Sequence, residues 1–209
     1  MPLDFQDFLF FKPLAFENMP RISGGLPDYL ALGLSILFVG INPGFRSSEV
    51  GHHFAGPSNR FWKLLFDAGL VPHRMTYLDD SRLLDYGYGL TNLIARPTAS
   101  IQDLGKLDFL EGREVLLGKI GKYQPALVAI LGISVARILW ISSKTTGSFS
   151  SCVTKYPMQT GLQTAHLAGA PVFVLPNPSG RNAYYSYQTM KELFVELRSI
   201  SLSLQPGAR

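Results

Sequence analysis

Leu34–Ile41 reads LSILFVGI, an apolar run interrupted only by Ser35 and containing isoleucine, phenylalanine and valine. A run of this length without alternation predicts a strand covered on both faces, as in parallel sheets. Two further stretches carry the same signal, Ala126–Leu131 (ALVAIL) and Pro171–Leu175 (PVFVL). Between and after them lie patterns of helical period: Asn59–Ala68, stopped by Gly69; Leu110–Tyr123, closed by Pro125; Ile133–Ile141; and Tyr187–Ile200. Strands alternating with helices predict a three-layer α/β/α sandwich around a central, mostly parallel, short sheet. Ser142–Gly169 reads as a polar surface excursion with short strands, and YGYGLTNL (86–93) as a turn that delivers Asn92.

A chain of 209 residues fits one domain with a proper core. The expected division is an N-terminal cap over residues 1–25, a core over 26–200 and a tail over 201–209. A net charge of +4 is compatible with a polyanionic partner, because positive potential gathers phosphate before any specific contact forms. Cys152 is the only cysteine, which excludes an internal disulfide and multi-thiolate metal sites. No apolar run nears the ~20 residues of a membrane span. Met1–Lys12 carries Asp4 and Asp7 where a secretion signal would carry basic charge. The expectation is a soluble, intracellular protein without metal.

In open parallel sheets ligands bind beyond the carboxyl ends of the strands. Two polar loops leave those ends, GINPG at 40–44 and PNPSGRN at 176–182. Neither has the glycine spacing of a dinucleotide loop or the lysine of a phosphate-binding loop, and no G-x-S-x-G elbow occurs. His52 and His53 are adjacent, and His73 and His166 have no ligand spacing. What remains is Asn42 on the first loop, followed by GHHFAGPSNRFW (51–62), and Arg181 at the tip of a glycine-containing loop that suits insertion into a duplex.

Taken together, LPDYL (26–30), VGINPG (39–44), GHHFAGPSNRFWKLLFDAGL (51–70), YGYGLTNLIARPT (86–98), KYQPALVAILG (122–132) and LPNPSGRN (175–182) resemble one family, in its order, from about Leu26 to Arg198. It is the mismatch-specific uracil and thymine DNA glycosylase family of the uracil-DNA glycosylase superfamily. The Gly-His-His, YGYGLTN and Gly161-Leu162-Gln163 elements are similar to its eukaryotic thymine-DNA branch, whereas PNPSG is similar to the bacterial branch.

The resemblance implies cofactor-free hydrolysis of the bond between a flipped pyrimidine and its deoxyribose. It gives Asn42 the placing of water, the Gly40–Ile41 backbone the stabilising of the departing base, and Phe54 the stacking on it. His53 shapes the same pocket, Asn59 and Asn92 face the base, and Ser47 lies near the pyrimidine 5-position. Arg181 is the wedge, with Ser179, Gly180 and Asn177 on the DNA backbone. The implied partner is double-stranded DNA carrying a G-mispaired or modified pyrimidine. A monomer is expected, nuclear in a eukaryote and cytoplasmic otherwise. Two alternatives stay open: a catalytically weak mismatch or damage sensor, and a small-molecule enzyme such as a nucleoside hydrolase. Phe61 and Trp62 are expected in the core, and Arg96 as an organiser of its loop.

Overall fold

A computed structural model describes residues 25–139 and 159–205. Its strands are β1 (Ile36–Gly40), β2 (Tyr88–Asn92), β3 (Val128–Leu131), β4 (Gly161–Leu167) and β5 (Ala170–Leu175). They form one sheet in the order β2-β1-β3-β5-β4. The first four in that order are parallel, and β4 joins β5 antiparallel. The β4–β5 hairpin turns through Ala168 and Gly169, both at positive φ, as a tight right-twisted hairpin requires. The helices are α1 (Phe45–Val50), α2 (Phe61–Asp67), α3 (Lys106–Tyr123), α4 (Ile133–Leu139) and α5 (Tyr187–Ser203).

Alternate residues of the central strands point into two separate cores. Ile36 and Phe38 of β1, Ala129 and Leu131 of β3, and Phe173 and Leu175 of β5 face α2 and α5, meeting Phe61, Leu64, Met190 and Phe194. Leu37 and Val39, Val128 and Ile130, and Val172 and Val174 face α3 and α4, meeting Phe109, Leu116, Ile120 and Val135. The three layers are therefore the expected sandwich. Phe38 and Phe61 meet edge-on with ring centroids 5.3 Å apart, so the first strand and the helix after the Asn42 loop share one aromatic joint.

Three expectations are corrected. The YGYGLTNL stretch is not simply a turn: Tyr88–Asn92 is a strand paired along its length with β1. The turn-like reading follows from its glycines, yet Gly89 is there for space, since a Cβ would come within 2.5 Å of Leu34 Cδ1 and 2.8 Å of the Tyr29 carbonyl. The helix expected from Leu110 begins four residues earlier, at Lys106, because Asp108 reaches back to the Gly105 amide at 2.8 Å and satisfies the first turn. The last helix runs to Ser203, so the tail expected from 201 starts with helix. The proposed cap at 1–25 lies, but for Gly25, outside the described residues, as do Cys152, residues 140–141 of the α4 expectation and the excursion up to 158. No helix among the described residues is long and apolar enough to cross a membrane.

Two glycines of α3 separate propensity from packing. A Cβ at Gly112 would collide with the Leu93 carbonyl oxygen, whereas one at Gly121 would meet nothing within 4 Å. Alanine gains ~1 kcal/mol of helix propensity at either position. Gly112→Ala should nevertheless lower stability by roughly 1–3 kcal/mol, because backbone cannot retreat as a side chain can. Gly121→Ala should raise it by up to ~1 kcal/mol. Urea unfolding of both variants checks the opposite signs.

Candidate active site

The chains leaving β1 and β2 remain zipped together beyond the sheet. Leu93 N–H donates to Gly40 O and Ile94 N–H to Ile41 O, both at 2.8 Å, and Thr98 N–H donates to Pro43 O at 3.1 Å. Asn42 lies inside this zip. Its Nδ2 donates to Thr98 Oγ1 at 2.8 Å, to Arg96 O at 3.1 Å and to Pro43 O at 3.2 Å. Two of those partners are carbonyls, which only accept, so the amide orientation is set by chemistry: nitrogen faces them and Oδ1 faces away. Thr98 Oγ1 donates in turn to Ser100 O at 2.7 Å. Among the described residues no donor bonds Asn42 Oδ1.

Gly40 sits opposite Asn92 in the β1–β2 register. A Cβ on Gly40 would lie 2.5 Å from Asn92 Oδ1 and 3.7 Å from Phe54 Cε1. The fold thus brings Gly40, Asn92 and Phe54 against one another, beside Asn42, and only a glycine leaves this space open.

Phe54 has φ +54°, in the left-handed region, which costs a bulky residue on the order of 1–2 kcal/mol. Its neighbours impose it. His53 N–H donates to Asp80 Oδ2 at 2.9 Å, Trp62 Nε1–H to His53 O at 3.3 Å, and Ala55 N–H to Ser47 Oγ at 3.0 Å. The half-buried Phe54 ring rests on Phe61, centroids 4.2 Å apart and tilted by 34°. Phe61 is wholly buried and Trp62 nearly so, placing both in the core as expected. Phe61 also backs the half-buried Phe54 ring from behind.

Asp80 is a buried carboxylate that organises this loop. Besides the His53 amide it accepts from His52 Nδ1–H at 3.1 Å and from the Tyr29 hydroxyl. Burial first, then that bond and the nearby carboxylate charge, push the Tyr29 phenol up to about 12. His53 Nε2 lies 2.8 Å from Pro27 O; a carbonyl requires a donor, so Nε2 carries the proton. Burial lowers the His53 pKa, outweighing the opposing effects of the Pro27 bond, Asp80 and Asp28. His53 is a neutral imidazole inside the loop.

The other expected residues fall into two places. Ser47 is 7% exposed, with Oγ engaged by the Ala55 amide. Asn59 Oδ1 accepts from Phe61 N–H at 3.0 Å, an Asx turn opening α2. It lines a cavity of about 380 Å³ with Phe54, Trp62, Phe66, Arg74 and Tyr77, rather than with Gly40, Asn42 and Asn92. The second loop holds its shape locally: Asn177 Oδ1 accepts from Ser179 N–H at 2.9 Å, and Ser179 Oγ from Arg181 N–H at 3.3 Å. A Cβ on Gly180 would collide with Ser58, so the two loops touch there. Arg181 is exposed, and its Nη1 donates to Ala99 O at 3.2 Å, one residue from Thr98. Among the described residues no three His, Cys, Asp or Glu side chains come together as a metal site.

The sequence profile of the uracil DNA glycosylase superfamily matches residues 27–198. The chain belongs to the uracil DNA glycosylase superfamily. Enzymes of this superfamily are N-glycosylases that act on DNA. Its fold is similar to a solution structure from Methanosarcina acetivorans, a protein provisionally described as a uracil DNA glycosylase. The TM-score is 0.53 at 18% identity, over 84% of this chain and 96% of that one.

Thr98 and Asp80 also hold this site, and neither is signalled by the sequence pattern. Thr98 lies within the YGYGLTNLIARPT stretch but a lone threonine signals nothing until Asn42 is seen beside it. Arg96 does organise its loop, gripping Asp108 at 2.9 Å and Asp103 O at 3.2 Å.

The depressed His53 pKa has a definite sign. Below about pH 6.5 the unfolded chain protonates this histidine before the folded chain does, so stability must fall as pH drops through that value. The limiting slope for one proton is about 1.4 kcal/mol per pH unit. Urea midpoints measured from pH 7.5 down to 5 should fall more steeply for the wild type than for His53→Gln, which keeps a donor for Pro27 O.

Proposed function

We propose that this chain is a monofunctional DNA glycosylase that flips out uracil or thymine mispaired with guanine, and other modified pyrimidines, and hydrolyses the N-glycosidic bond. The product is an abasic site for base excision repair. The observation that carries this reading is the Asn42 carboxamide, with its NH2 tied to Thr98, Arg96 and Pro43 and its carbonyl oxygen turned the other way.

An amide has no useful basicity, so it positions rather than deprotonates. Asn42 Oδ1 accepts a hydrogen bond from a water held at the anomeric carbon. As the C1′–N1 bond breaks, its electron pair leaves on the base and the sugar becomes oxocarbenium-like. The water oxygen then forms the new C1′–O bond, and its released proton balances the charge on the departing base. Amide donors of the Gly40–Ile41 backbone are assigned to that anion. Phe54 stacks on the extruded ring, Asn92 reads its edge, and the buried His53 supports the pocket wall from behind, whereas Asn59 lines the neighbouring cavity on the other side of Phe54. Ser47 is small enough to leave room for a 5-methyl group.

Ser179, Gly180 and Asn177 meet the DNA backbone, and Arg181 leaves Ala99 O to fill the vacated stack. Flipping costs a few kcal/mol and less at a mismatch, which favours pyrimidines opposite guanine. The partner is double-stranded DNA, the working form a monomer, and the site nuclear in a eukaryote or cytoplasmic otherwise.

Single-turnover excision from G·U, G·T and A·U duplexes, read as alkali-labile abasic sites, tests this. Wild type should cleave G·U fastest. Asn42→Ala should lose at least ~100-fold in rate, and Thr98→Val on the order of 10-fold, both with duplex affinity nearly unchanged. Duplex binding by the wild type without any abasic product would make it a sensor. Wild-type rates in Asn42→Ala would remove the water-positioning role.

A further inference from the structure

We infer that Arg60 is a positioning residue for the DNA-insertion loop, acting through the backbone of residues 178–185. This rests on the glycosylase reading above and adds to it a residue that touches neither the base nor the reacting atoms.

Arg60 precedes α2, far along the chain from that loop. Its Nη2 donates to Ser179 O at 2.8 Å and Asn182 O at 3.0 Å. Longer contacts run from Nε to Pro178 O at 3.4 Å and from Nη1 to Tyr185 O at 3.5 Å. The Arg60 amide itself donates to Pro178 O at 2.9 Å. Nη2 thus bridges two carbonyls on either side of Gly180 and Arg181. The planar fork makes this bridge possible, because it directs several N–H groups at once along fixed lines.

The loop's own bonds do not fix where it sits. The turns around Asn177, Ser179 and Asn182 set its internal shape, since their partners lie within the loop itself. Its placement against the catalytic half of the molecule comes from Arg60, from the close approach of Gly180 to Ser58, and from the Arg181–Ala99 contact. The third of these must break when Arg181 enters a duplex. Arg60 and the Gly180–Ser58 approach then carry the registration between the wedge and the Phe54 loop, whose ring is backed by the residue after Arg60, Phe61. Among the described residues Arg60 has no carboxylate partner, so its charge adds to the field that draws a phosphate to this loop.

The test compares excision of uracil from a G·U duplex with excision from the same strand unpaired, where no wedge is needed. Arg60→Met should slow duplex excision by about 10-fold or more while the single-strand rate stays within about two-fold. Fluorescence of 2-aminopurine placed beside the uracil should show weaker unstacking in the duplex. Arg60→Lys, which keeps charge but loses the fork, should fall between wild type and Arg60→Met, and it decides the matter should the methionine variant not fold. Equal losses on both substrates, or no loss on either in a folded variant, would overturn the inference. Wild type inactive on both strands would instead overturn the glycosylase reading.

Discussion

The rest of the site depends on two adjacent parallel strands releasing their chains at the same end of the sheet. Because β1 and β2 run side by side, the backbone after Gly40 and the backbone after Asn92 leave together and can continue to exchange hydrogen bonds. That continuation supplies what a single loop cannot: acceptors on one side of Asn42, set at fixed distances by a neighbouring segment. The segment is itself held from behind, by Arg96 on Asp108 and by the Thr98 hydroxyl on Ser100.

The same arrangement explains why this position suits an amide. A carboxylate at residue 42 would set an anionic oxygen against the carbonyls of Pro43 and Arg96, where the present NH2 donates. Repulsion there would turn the side chain out of the zip. The site is built around a group that is a donor on one side and an acceptor on the other, and the Asn42 carboxamide offers both. The Phe54 loop obeys similar logic. Its left-handed backbone is unfavourable taken alone, and it persists because the amide and carbonyl of His53 and the amide of Ala55 are each bound to a different neighbour.

Much of the architecture was legible because burial on two faces leaves a plain mark. The stretches ILFVG (36–40) and PVFVL (171–175) contain no polar side chain that solvent could claim on either side, and they became central strands. The edge of the sheet was harder to read. Tyr88–Asn92 has two polar residues and a glycine in five positions, so its alternation is too weak to separate from a turn. Its pairing with β1 and the closeness of Leu34 and Tyr29 to Gly89 are what make it a strand. The anchors were hardest of all. Thr98, Asp80 and Arg60 act through partners 56, 27 and 119 residues away, separations over which sequence order says nothing about contact.

Sequence by itself determined the layer order, the two loops at the strand ends and the residue types offered there, because hydrophobic period and loop chemistry are local properties. Tertiary structure decided which way the Asn42 amide faces, why Phe54 accepts its backbone and what keeps the Arg181 loop in place. Those outcomes depend on hydrogen bonds between segments far apart in the chain, and such bonds exist only once the sheet has set the distances.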